Sequence, residues 1–148
     1  MIVSGPTMSG KSTFVHNILS DKSIFSTPPK AIYWFHGGDT DIGLSGRGYV
    51  VKQGLPETFN DIPEGSVVVL DDSKDEAKSH SGVTSLFTKL VHHKRLFVIN
   101  ITQNLFLNSK DTRTRRLNSQ YMVLFKLHQT SLRSTPLLGK CFQGMQVS

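Results

Sequence analysis

Three short segments of this chain carry side chains suited to handling a phosphate. The first, Gly5-Pro6-Thr7-Met8-Ser9-Gly10-Lys11-Ser12, satisfies G-x-x-x-x-G-K-[ST] at every fixed position. It follows the apolar run Met1-Ile2-Val3 and precedes a helix-like run over Ser12–Leu19, the strand-to-helix setting such a loop requires. Gly5 and Gly10 are predicted to let the backbone curl so that successive N–H groups converge on phosphate oxygens, with the helix N-terminus adding its own donors. Lys11 would reach the β- and γ-phosphates and Ser12 would ligate Mg²⁺. The whole of Gly5–Thr13, with Pro6, Thr7, Met8, Ser9 and Thr13 included, is therefore the expected nucleoside triphosphate cradle.

The second segment is Val67-Val68-Val69-Leu70-Asp71-Asp72, an apolar run that ends in two carboxylates. Mg²⁺ prefers hard oxygen ligands, so Asp71 is expected to hold it beside Ser12, and Asp72 to orient or deprotonate an attacking water. The plain alternative is a pair of capping residues before a turn or helix. Asp75 and Glu76 stand close behind as fallback carboxylates. The third segment, Leu96–Thr102, is another apolar run, and it ends in Gln103. An amide donates to phosphate and accepts from water at once, which makes Gln103 the expected γ-phosphate sensor. A strand-end turn residue is the competing explanation. Arg113, Arg115 and Arg116 form a further cluster with three open uses: a finger on a neighbouring subunit's nucleotide, contacts to nucleic-acid phosphates, or solvated charge. His92 and His93 lack a third ligand at suitable spacing and are read, with Lys94 and Arg95, as a cationic helix end.

These groups need strands to deliver them. Ala31–Phe35, a short run at Tyr49–Lys52, Val67–Leu70, Leu96–Thr102 and Tyr121–Phe125 read as strands. Val83, Leu86, Phe87, Leu90 and Val91 keep the spacing of a helix packed on a sheet, and Glu57–Ile62 is expected to be a short helix. The alternation predicts an α/β domain with a mainly parallel central sheet. With 148 residues and 37% hydrophobic content the chain fits a single domain over 1–148. One cysteine, Cys141, leaves no internal disulfide, and no apolar run approaches a membrane span of roughly 18 residues. A soluble, intracellular, non-secreted protein is expected. Charge is uneven: residues 1–73 hold 5 Lys/Arg against 8 Asp/Glu, or −3, and residues 74–148 hold 12 against 3, or +9. A basic half of this size is suited to a polyanion such as DNA, or to plain solvation.

Over nearly its whole length to about residue 128 the chain resembles the genome-packaging ATPases of the FtsK–HerA superfamily, in particular the poxvirus-type enzymes of adintoviruses and polinton-like elements. The residues that carry the resemblance are MIVSGPTMSGKSTFVHNIL over Met1–Leu19, Gly54-Leu55-Pro56, VVVLDD over Val67–Asp72, HHKRLFVINITQNLF over His92–Phe106 and RTRRLNSQYMVLFK over Arg113–Lys126. The resemblance implies a three-layer P-loop NTPase of the RecA/ASCE type. It implies one subunit of a homo-oligomeric ring, a pentamer or hexamer, that hydrolyses ATP with Mg²⁺ to drive double-stranded DNA through a portal vertex into a viral capsid. The setting would be a host cell, in nucleus or cytoplasm or with the virion, and no membrane is involved. Lys11, Asp72, Gln103 and Arg113 would be catalytic, Arg113 as the finger acting in trans, and Ser12 and Asp71 would hold the metal. The chain departs from the family in two ways. Asp72 stands where many members have Glu, and the chain is short, as a fragment or minimal core would be.

Two other functions use the same loop. A nucleotide kinase moves phosphate to a small acceptor, and a nucleotide-gated DNA-binding module does no chemistry. Strand order separates the first from a hydrolase: the hydrolase branch inserts the 96–102 strand between Met1–Ser4 and Val67–Leu70, whereas kinases place those two side by side.

Overall fold

Runs of β-branched and aromatic residues long enough to be covered on both faces become strands of a parallel sheet, and this sequence supplies several. The computed structural model describes residues 1–38, 48–56, 58–71, 91–103 and 110–126, apart from the side chains of residues 22, 91, 92, 110–112 and 115. Within them lie β1 (Ile2–Ser4), α1 (Lys11–Ser20), a 3₁₀ turn (Lys22–Ile24), β2 (Ile32–His36), β3 (Tyr49–Gln53), β4 (Val67–Asp71), α2 (Val91–Lys94), β5 (Phe97–Thr102), α3 (Lys110–Leu117) and β6 (Met122–Leu124). The six strands form one sheet in the order β3-β2-β4-β5-β1-β6, and every pairing is parallel. The protein is thus α/β with a fully parallel central sheet among the described residues. β5 stands between β1 and β4, which are not adjacent.

Both faces of the sheet are buried. On one, Val15 and Leu19 of α1 pack with Val3, Trp34, Val67, Val69, Ile99 and Ile101. On the other, Phe59 and Ile62 cover Phe35, Val68, Leu70 and Val98. The alternation within β4, with Val67 and Val69 facing one way and Val68 and Leu70 the other, is why VVVL is apolar throughout. Each such side chain removed from water contributes about 1.5–3 kcal/mol, so the strands under α1 are held firmly. Trp34 is fully buried and stacks near Tyr49, with ring centroids 6.1 Å apart.

Local departures from expectation have physical causes. Residues 58–62 are not helical; they form a turn in which Ile62 N–H donates to Phe59 O at 3.3 Å and the Phe59 and Ile62 side chains enter the core. The Lys94 ammonium donates to the carbonyls of Asn60 and Ile62, so the cation expected to cap its own helix instead pins this turn. Arg95 follows α2 with φ 48°, a left-handed helix terminator without glycine. The arginine cluster, which carried no expected element, lies on a helix over 110–117, and Asn118 closes it by donating from both its backbone N–H (3.1 Å) and its Nδ2 (2.8 Å) to Thr114 O. The apolar stripe at 83–90 lies outside the described residues. No described helix is long and apolar enough to cross a membrane.

Candidate functional site

Because the strands are parallel, β1, β4 and β5 all deliver their carboxyl ends to one edge of the sheet. Ser4 is in register with Thr102, and Asp71 with Ile101. Gly5 N–H donates to Thr102 O at 3.2 Å, so the 5–12 loop leaves the sheet alongside Gln103. The crevice beyond strand carboxyl ends is where open α/β sheets bind ligands.

The loop closes as a compact turn. Ser9 N–H donates to Pro6 O at 3.3 Å, Phe14 N–H donates to Gly10 O at 2.9 Å, and Met8 (φ 61°) and Gly10 (φ 88°) adopt left-handed backbone. The curl therefore comes from Met8 and Gly10 rather than from both glycines. Gly5 is required for a different reason. A Cβ there would lie 2.6 Å from Phe125 Cβ and 2.8 Å from Phe125 O, and Phe125 N–H is itself tied to Ser4 O at 2.7 Å. α1 begins at Lys11 with Gly10 at its N-cap, no capping side chain and no acidic residue in its first turn. Its first N–H groups thus keep their affinity for an external anion.

Three side-chain bonds join the predicted residues. Ser12 Oγ donates to Asp71 Oδ2 at 2.9 Å, across the intervening β5. Thr7 Oγ1 donates to Gln103 Oε1 at 3.0 Å. The Lys11 ammonium, with the residue only 8% exposed, donates to Pro6 O at 2.6 Å and is folded back onto its own loop. Ser9 Oγ is buried without a partner among the described residues. Thr13 is exposed on α1. Arg113 is exposed on α3 and joins none of these bonds, and Asp72, Asp75 and Glu76 lie outside the described residues.

The Ser12–Asp71 pair passes a simple test for Mg²⁺. Octahedral oxygen ligands at 2.0–2.1 Å from the ion sit about 2.9 Å apart when cis, and Ser12 Oγ and Asp71 Oδ2 are 2.9 Å apart. Among the described residues no group of three or more His, Cys, Asp or Glu forms a cage for a metal. Mg²⁺ commonly takes only one or two protein oxygens and fills its remaining positions with phosphate and water.

Sequence reasoning missed His36. It ends β2 in register with Asp71, its carbonyl accepts from Gly54 N–H at 2.8 Å, and its Nδ1 is buried without a partner among the described residues. The signal was present: a polar residue directly after the apolar run AIYWF has the same form as Asp71 after VVVL. A scan against protein-family models, a search of the curated proteins and a search of the solved structures each return no match.

Proposed function

We propose that this chain is a P-loop NTPase domain of the RecA/ASCE type that hydrolyses ATP with Mg²⁺ and works as a DNA-translocating, genome-packaging motor subunit. The observation that carries the chemical part is the Ser12 Oγ to Asp71 Oδ2 contact of 2.9 Å, in a sheet where β5, which leads into Gln103, lies between β1 and β4. A kinase arrangement, with β1 and β4 adjacent, differs in that strand order.

In this reading the α1 N-terminus and the 5–12 backbone bind the phosphates, and the Lys11 ammonium exchanges Pro6 O for β- and γ-phosphate oxygens. Ser12 and Asp71 hold Mg²⁺. When bound, the ion draws charge from the terminal phosphates. Gln103 holds the attacking water near the γ-phosphate, and Asp72 takes the water's proton as its oxygen bonds to phosphorus and the bond to the ADP oxygen breaks. The basic half of the chain, with Arg113 and Arg116 on α3, meets DNA phosphates or the nucleotide of the next copy in a ring. The motor role rests on the resemblance and on this charge.

Steady-state hydrolysis with and without duplex DNA, in the native chain and in Lys11→Ala, tests the proposal. DNA-stimulated phosphate release that the substitution abolishes is expected, with duplex affinity falling steeply as salt rises. DNA-indifferent turnover with transfer of phosphate to a nucleoside would overturn it in favour of a kinase. Nucleotide and DNA binding without turnover would leave the gated binding module.

A further inference from the structure

Thr7 occupies one of the unrestricted positions of the phosphate loop, yet its hydroxyl reaches across to the tip of β5. Oγ1 donates to Gln103 Oε1 at 3.0 Å, over a sequence separation of 96 residues. The two ends of a glutamine side chain differ chemically: the carbonyl oxygen only accepts, and the amide nitrogen only donates. A phosphate oxygen needs a donor, so an amide turned the wrong way repels the group it is meant to sense. The pairing turns the carbonyl end toward Thr7 and the NH₂ end away from it.

We infer that Thr7 is a positioning residue that fixes which end of the Gln103 amide meets the γ-phosphate subsite, making loop and sensor one unit. This rests on the hydrolase reading above. Lys11 and Ser12 hold the nucleotide whether or not Thr7 carries a hydroxyl, so the effect falls on the chemical step and not on binding. Thr7 itself does not touch the reacting atoms. The side chain at this position matters because β1 and β5 are paired up to Ser4 and Thr102, which places the first loop residues beside the residue after Thr102.

The test compares Thr7→Val, which keeps the shape and removes the hydroxyl, with Thr7→Ser, which keeps the hydroxyl. Loss of one neutral hydrogen bond is expected to lower kcat roughly 3–10-fold in Thr7→Val with KM unchanged. Thr7→Ser should restore kcat. The double variant Thr7→Val with Gln103→Ala should be no slower than Gln103→Ala alone, because the two residues act through one contact. Native kcat in Thr7→Val, or losses that multiply in the double variant, would overturn the inference while leaving the hydrolase reading intact. If the native chain shows no turnover, that reading fails by itself. The inference is then decided by the Gln103 side-chain amide resonances in the free protein, which Thr7→Val should shift and Thr7→Ser should not; resonances indifferent to Thr7→Val would overturn it.

Discussion

The two ends of the sheet present different surfaces. The amino ends of β2, β4 and β5 open onto a groove of about 460 Å³ floored by Phe25, Val67 and Phe97 and flanked by Lys30, Glu64 and Arg95. The carboxyl ends carry a tight loop whose polar groups are already bonded to one another: Ser12 to Asp71, Thr7 to Gln103, Lys11 to Pro6. Donor chemistry favours the second as a phosphate site, because its bonds are exchangeable for phosphate and Mg²⁺, whereas the groove mixes apolar walls with scattered polar side chains and a loose ion pair, Arg95 Nε to Glu64 Oε1 at 3.7 Å. A phosphate site need not be a large hole; it needs backbone and side-chain groups that lose little when they change partners.

The largest expected effect breaks this comparison if it fails. Lys11→Ala should cost on the order of 10²–10³ in kcat/KM, the scale seen when a preorganised charge contact is removed from a reacting oxygen. Thr27→Tyr, which fills the groove, should leave turnover unchanged. Parallel kinetics on the two variants decide the matter, and the opposite ranking would move the active end of the molecule. Next in size is Gly5→Ala. The added methyl has no room against the Phe125 backbone and should destabilise the fold by about 1–3 kcal/mol in urea unfolding, as overpacking does. The same change in a glycine that meets nothing, Gly54, would act only through its φ of 73°. The smallest effect belongs to the groove end. Arg95→Gly relieves a left-handed backbone costing about 1–2 kcal/mol and gives up an exposed ion pair worth at most about 1 kcal/mol. Glycine's greater chain freedom in the unfolded state takes back about 0.5–1 kcal/mol, so a slight gain in stability, below about 1 kcal/mol, should appear in the same urea titration, with hydrolysis unaffected.

The sequence made much of this architecture legible. VVVL, FVINIT and AIYWF could only be buried strands, and the loop pattern located α1 to within a residue. What stayed hidden depends on contacts made over long separations. Gly5 is needed because Phe125 packs against it, and no local pattern encodes that approach. The Thr7–Gln103 bond follows from β5 running beside β1, a fact of sheet order, whereas the meeting of Asp71 with Ser12 was already expected from the sequence. α3 escaped notice because KDTRTRRL has no apolar stripe, and the turn at 58–62 mimicked a helix because Phe59 and Ile62 happen to lie three apart. Arg113 was named from a family pattern, and among the described residues it shares none of the loop's bonds.

Met8 has a consequence of its own. Its thioether stands at the apex of the loop, 97% exposed, on a backbone held at φ 61°. Peroxide reaches such a sulfur without any opening of the fold, and the resulting sulfoxide sets a polar, chiral group at the rim of the crevice while Lys11, Ser12 and Asp71 remain chemically intact. The redox history of a preparation therefore sets the chemistry of this exposed loop position.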